Sequence, residues 1–198
     1  MWPVVFITVL GILVLRLAAH ALILRGLRAP RLAHQRTPAD VGLTAQTVRL
    51  PVAEGKTLFA WFVPVPSQVL SPAVVVMHGW GANASLMLPA LAPLHAAGFA
   101  VLLIDARCHG ESDDAPFTSL PRFTEDIEAG LDWLHQQAEV DASRLAVMGH
   151  SVGAGATLLC DTRRDHVTAV AVPYTHLTLP TVSSLYIRSA HHSFLRQE

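Results

Sequence analysis

The chain opens on an apolar run from Trp2 to Leu24 whose only strongly polar members are Arg16 and His20. At 1.5 Å per residue, a helix of that length crosses a hydrocarbon layer of about 30 Å. Residues 1–24 therefore predict a transmembrane anchor; the alternative is a buried or interfacial helix, for which Arg16 near mid-span argues. Further on, Thr47 to Leu50 and Leu58 to Val65 read as two strands joined by a turn at Glu54, Gly55 and Lys56, which makes a hairpin. Ala73 to Met77, Ala100 to Ile104 and Leu145 to Met148 are short unbroken apolar runs bounded by Gly, His or Asp, the pattern of strands buried on both faces. Between them lie two helical stretches. One opens around Pro89 and ends near Gly98; the other runs from about Pro121 to Gln137, with Phe123, Ile127, Leu131 and Leu134 on one face. Strand alternating with helix predicts an α/β fold, a mostly parallel sheet with helices on both faces.

Composition sharpens this picture in one place. Of 198 residues 52% are hydrophobic and 15% charged, with 14 basic side chains against 15 acidic ones. That excludes a disordered chain and a nucleic-acid-coating protein, both of which need charge in bulk. One domain is expected at this length. Residues 1–24 alone hold 19 apolar side chains, so the apolar excess is local to the anchor. No basic residue precedes Trp2, whereas Arg25, Arg28, Arg31 and Arg36 follow the run. A cleavable signal peptide has the opposite arrangement, and positive charge after a span places the following domain in the cytoplasm. Residues 25–44 then form a basic linker to a domain at 45–172. Cys108 and Cys160 are too few for a disulfide framework and fit a reducing compartment. No metal-ligand spacing or phosphate-binding loop occurs, so neither metal nor cofactor is expected.

After Val172 the composition shifts. Residues 173–198 hold both tyrosines of the chain and one alanine, against 27 alanines before them. The stretch from Tyr174 to Thr181 resembles the translation of a transposon-type sequencing adapter, which predicts a non-native tail; a genuine polar C-terminal loop is the alternative.

Three segments carry chemistry. Gly149, His150, Ser151, Val152, Gly153 matches G-x-S-x-G, between an apolar strand and a small, apolar, helix-compatible stretch. That context is the nucleophile elbow, in which the turn strains Ser151 and the glycines leave no room for Cβ atoms. His78, Gly79, Trp80, Gly81 follow another apolar strand, where an oxyanion hole would be built. The backbone N–H groups of Trp80 and Val152 are its candidate donors. His78 reads as structural rather than as a general base, and His150 is held by the elbow in a different direction from the serine hydroxyl. The third segment, Asp105 to Ser112, reads D-A-R-C-H-G-E-S.

Together these segments, over about residues 45–172, resemble the α/β-hydrolase superfamily, most closely its serine aminopeptidase and acylaminoacyl-peptidase-like branch. The resemblance implies that Asp105, Arg107 and His109 are scaffold and that Cys108 stands where the family usually has glycine, as a tolerated small residue. It implies a triad ordered Ser, acid, His, with the last two on loops after later strands. Here the chain departs from the family. After Ser151 the acids are Asp161, Asp165 and Glu198 and the histidines His166, His176, His191 and His192. Asp161 and Asp165 fall at the far end of the helix after the elbow, and three of the histidines lie in the suspect tail. None fits the triad, so the domain is expected to be truncated after about the sixth strand, and this chain to be inactive and poorly packed.

The function expected is that of a membrane-anchored serine hydrolase with its catalytic domain in the cytoplasm, cleaving an ester, amide or peptide-type acyl bond of a small-molecule or peptide substrate. Its partners are that substrate and a lipid bilayer, not nucleic acid. A catalytically silent hydrolase-like binding protein and an acyltransferase are the alternatives.

Overall fold

The computed structural model describes residues 2–26, 28–66, 69–164, 167–175 and 183–189. Helix α1, Trp2–Gly26, is apolar all round, buries no residue and is long enough to cross a membrane. At 25 residues it is about 37 Å long. A one-turn 3-10 helix, Pro38–Val41, follows it and begins on proline.

The domain is built on one seven-stranded sheet among the described residues, in the order β1-β2-β4-β3-β5-β6-β7. Strands β1 (Gln46–Val52) and β2 (Lys56–Val63) form the expected hairpin, its turn made by Glu54 at φ 63° and Gly55 at φ 67°. The second strand stops at Val63 rather than Val65, because Pro64 has no N–H to offer the ladder. Strands β3 (Ser71–Met77), β4 (Ala100–Ile104), β5 (Val140–Gly149) and β6 (Val167–Thr175) run parallel. Strand β5 begins five residues before the apolar run at Leu145. Its polar first half still pairs with β3 at Ser71 across a register shift, since backbone pairing does not require apolar side chains.

Alternation divides the two faces. From β3, Ala73, Val75 and Met77 face one core together with Phe123, Ile127, Leu131 and Leu134 of α3 (Leu120–Leu134) and Ala154, Ala156 and Cys160 of α4 (Val152–Arg163). Val74 and Val76 face the other core with Leu88 and Leu91 of α2 (Leu88–Ala96). Helices thus cover both faces, and the stripe predicted on α3 is the buried one. The burial of Cys160 pushes its thiol up to about 12, which makes it an inert core residue.

Strand β7, Ser183–Ser189, lies inside the stretch read as foreign and pairs antiparallel with β6, from Ala169↔Ser189 to Thr175↔Ser183. It supplies hydrogen bonds to an edge that would otherwise be open. Asp165, His166, His176, His191, His192 and Glu198 lie outside the described residues.

Candidate active site

The site is set by register. Met77 pairs with Ile104 on one side and with Gly149 on the other, so β3, β4 and β5 end level. The loops that carry His78–Gly81, Asp105–Ser112 and His150–Ser151 leave side by side. The chain winds from β3 to β4 on one side and returns to β5 on the other, which makes this the topological switch point where α/β folds bind ligands.

At the elbow, Ser151 has φ 55° and ψ −119°, a combination that L-residues rarely adopt. The turn is tight on all sides. A Cβ at Gly153 would fall 2.7 Å from the Met77 carbonyl oxygen and closer still to that of His78, and one at Gly149 would run into the Gly153 backbone. A Cβ at Gly79 would come within 3.0 Å of the Ser151 Cβ, which shows how closely the two loops approach. The Ser151 side chain is exposed, and its hydroxyl makes no hydrogen bond among the described residues. Within the same set the N–H groups of Trp80 and Val152 find no acceptor. Both N–H groups are free at the site end of the sheet, one on each neighbouring loop.

The histidines beside the site are engaged. His78 is fully buried; its Nε2 accepts the Ala106 N–H at 3.0 Å and its Nδ1 lies 2.7 Å from the Gly79 carbonyl oxygen, to which it donates. Burial and the neighbouring His109 push its pKa down to about 4, so it stays neutral. His109 is locked alike, its Nε2 accepting from Gly81 at 3.1 Å and its Nδ1 facing the Arg107 carbonyl at 2.9 Å, and burial lowers its pKa. Neither ring has a nitrogen to spare for proton transfer. His150 is exposed, and its N–H donates to the Met77 carbonyl.

Asp105 and Arg107 hold the third loop together. The buried Asp105 carboxylate accepts from the N–H groups of Ala84 at 2.7 Å and Glu111 at 2.8 Å, tying two loops. Burial raises its pKa, but these bonds and the one from His34 outweigh burial and leave it low. Arg107 reaches Asp126 on α3 through Nε at 2.8 Å and Nη2 at 2.6 Å, while its own N–H binds the same carboxylate. Cys108 sits at φ 66°, which explains why glycine would suit the position. Its sulfur accepts from the Ala115 N–H at 3.2 Å and faces the Ala115 carbonyl at 3.4 Å.

Sequence reasoning missed one part of this end of the molecule. The basic stretch after α1 is not a free tether. Arg31 Nη1 donates to the carbonyls of Gly110 at 2.6 Å and Ser112 at 2.8 Å, and Nη2 meets Asp114 at 2.5 Å. His34 Nε2 donates to Asp105 at 2.8 Å, and Asn83 donates to the Leu32 carbonyl at 2.9 Å. No local pattern pointed to this, because the partners lie 51 to 83 residues away. Downstream of Ser151 the described residues hold one acid, Asp161, and no histidine. Asp161 lies near the end of α4, about 15 Å along the helix from the elbow. Among the described residues no cluster of side chains could hold a metal.

The family model for serine aminopeptidase, S33, matches residues 70–181. The chain belongs to that family of hydrolases. Over 125 residues it is 32% identical to an uncharacterized protein of Mycobacterium tuberculosis, a match spanning 63% of this chain and 44% of that protein. Over 136 residues it is 28% identical to a polyketide transferase of Aspergillus fumigatus, spanning 67% and 46%. Among solved structures, an esterase of Pyrococcus furiosus superposes with a TM-score of 0.67 at 23% identity, covering 74% of this chain and 56% of that one. That is a likeness of fold. The chain spans less than half the length of each of these two curated relatives.

Proposed function

We propose that the protein is a membrane-anchored serine hydrolase with Ser151 as nucleophile. The observation that carries this reading is the elbow: a strained, exposed serine whose hydroxyl, like the two N–H groups beside it, finds no partner among the described residues. In this reading the Ser151 oxygen attacks an acyl carbonyl while a base takes its proton. The carbonyl oxygen becomes an oxyanion held by the Trp80 and Val152 N–H groups, and the leaving alcohol or amine recovers the proton. Water then attacks the acyl-enzyme and returns a carboxylic acid and the free serine. The base and its orienting acid belong on loops after later strands, and residues 173–198 are read as foreign to the fold. The antiparallel turn-back of β7 on an otherwise parallel edge suits that reading.

Helix α1 is the proposed anchor. Arg25, Arg28, Arg31 and Arg36 orient it with the domain in the cytoplasm; orientation is settled during insertion, before Arg31 docks. The relative named as a transferase favours a second reading, in which an acceptor other than water takes the acyl group. The two share every step up to the acyl-enzyme.

Labelling with a serine-directed phosphonate tests the nucleophile. In the protein completed with its own residues after Val172, Ser151 should label and Ser151→Ala should not; equal labelling of both overturns the assignment. A reporter active only outside the cytoplasm, fused after residue 40, tests the topology and should stay silent.

A further inference from the structure

Residues 28–34 connect the apolar helix to the domain at one particular place. The Pro30 ring lies over Gly81, its Cγ 3.1 Å from where a Cβ would stand. Arg31 Nη1 donates to three carbonyls of the Asp105–Ser112 loop, that of His109 at 3.3 Å beside those of Gly110 and Ser112. The strap therefore docks on the two loops that flank the candidate oxyanion hole, at the end of the sheet where Ser151 stands. From Gly26, the last residue of α1, to Pro30 is four peptide steps, at most about 14 Å at full extension. The interfacial layer of a bilayer is about 5–8 Å deep on each side. A span ending near Arg25 thus leaves the mouth of the site no room to lie far from the lipid.

A second observation agrees. The same end carries exposed apolar side chains from four separate segments: Leu32 of the strap at 46% exposure, Trp80 at 37%, Leu86 at 55% and Leu120 at the start of α3 at 39%. Val69 and Leu70 are also exposed, at the opposite end before β3, so the collar alone does not choose a face. The short covalent connection does.

We infer that the strap holds the mouth of the site against the bilayer surface, and that the substrate is an acyl ester or amide resident in the bilayer, its scissile carbonyl presented at headgroup level. The substrate half rests on the hydrolase reading above; the placement of the mouth does not. A soluble peptide would have to enter through the gap between domain and membrane. A lipid reaches Ser151 by lateral diffusion and a small rise out of the leaflet.

The test uses the full chain in phosphatidylcholine vesicles containing a nitroxide-labelled lipid, with a fluorophore on Leu86→Cys at the mouth or Glu139→Cys at the opposite end. Strong quenching at 86 and little at 139 is expected; equal quenching, or the reverse, overturns the placement. Trp80 supplies an independent probe should a labelled variant misfold. Quenching of tryptophan emission by brominated phosphatidylcholine should fall in Trp80→Phe and not in Trp133→Phe, and the opposite result counts against the placement. For the substrate, twenty Gly/Ser residues inserted after Gly26 loosen the tether. Turnover of a long-chain ester in vesicles should fall about tenfold as effective concentration drops, while a soluble short-chain ester is unaffected. An unchanged vesicle rate, or an equal fall for both esters, overturns the bilayer substrate. Both esters are assayed on the protein completed with its own residues after Val172; turnover of neither counts against the hydrolase reading itself, and the quenching result still decides where the mouth lies.

Discussion

Three non-glycine residues at the site end of the sheet have positive φ. Glu54 makes the hairpin turn; the other two, Cys108 and Ser151, differ in their surroundings. Cys108, at φ 66°, lies in a loop whose polar groups are nearly all partnered. Asp105 ties it to the loop after β3, Ser112 Oγ donates to the Asp105 carbonyl at 2.6 Å, Arg107 pins it to α3, and the thiol bonds the Ala115 backbone. Strain of about 1–2 kcal/mol at one residue is easily held by such a network. Ser151, at φ 55°, has no comparable support for its side chain, which is exposed and without a partner among the described residues. Backbone strain in the first loop is incidental to a rigid scaffold. In the second it leaves a hydroxyl exposed beside two N–H groups that find no acceptor among the described residues, which is what the proposed nucleophile and oxyanion donors would require.

Several substitutions would break or sharpen that contrast. The largest effect is expected at Ser151. In the protein completed beyond Val172, Ser151→Ala should lower turnover of an activated ester by several orders of magnitude with no loss of thermal stability, because the hydroxyl contributes nothing to packing. A marked drop in Tm would show that the strain there serves the fold. Next is the brace of the other loop. Asp126→Ala leaves the buried Arg107 without its carboxylate partner and should cost about 3–5 kcal/mol in a denaturant melt. A loss under about 1 kcal/mol would mean that Glu125, at 3.1 Å, takes over. Trp80→Pro removes one proposed oxyanion donor and should add about 3 kcal/mol to the barrier for ester cleavage. Trp80→Ala keeps the N–H and loses only the ring stacked on Phe123 at 6.5 Å, so kcat/KM of that variant should stay much nearer wild type.

Smaller effects separate the two strained positions further. Cys108→Gly relieves the backbone and gives up two weak thiol contacts, for a net gain of up to about 1 kcal/mol in stability and unchanged activity. The smallest effect is a pH dependence at the strap. Burial lowers the His34 pKa, but hydrogen bonding and attraction from Asp105, then Glu111, raise it above 6.5 overall. A raised histidine contributes stability that is fully present below 6.5 and is lost as pH rises through the folded value. The lowered Asp105 contributes above 3.8 and loses its share as pH falls through its folded value. The strap should therefore hold most firmly between about pH 4 and 6.5. His34→Gln should destabilise more at pH 6 than at pH 8; an equal loss at both would show that the imidazole is not charged in the docked state.

Much of the site was legible because its signals are local. Gly149, Ser151 and Gly153 sit within five residues of one another, and the need for glycine on each side of a strained serine comes from the turn itself. His78 could be separated from a general base only in outline by sequence, since the Ala106 N–H and Gly79 carbonyl that occupy its two nitrogens come from different loops. Cys108 is a similar case. The family's glycine there implies only that Cys108 is a tolerated small residue; that the position needs a left-handed backbone, φ 66°, comes from the structure. The strap was not legible at all. Residues 25–44 read as a basic linker, and the carbonyls and carboxylate that bind Arg31 and His34 are more than 70 residues away.

By itself the sequence determined the apolar N-terminal helix, the alternation of strands and helices, the buried stripe of α3 and the turn around Ser151. Each follows from periodicity or turn chemistry within a window of a few residues, where neighbouring side chains and φ preferences decide the outcome. Only the tertiary structure decided that β3 lies between β4 and β5, so that three loops end level, and that the strap after α1 closes over two of them. Those outcomes depend on which distant segments pair and in what register. Such pairing is chosen by burial of the whole sheet and by buried polar groups such as Asp105 finding all their partners at once, which no short stretch of the chain encodes.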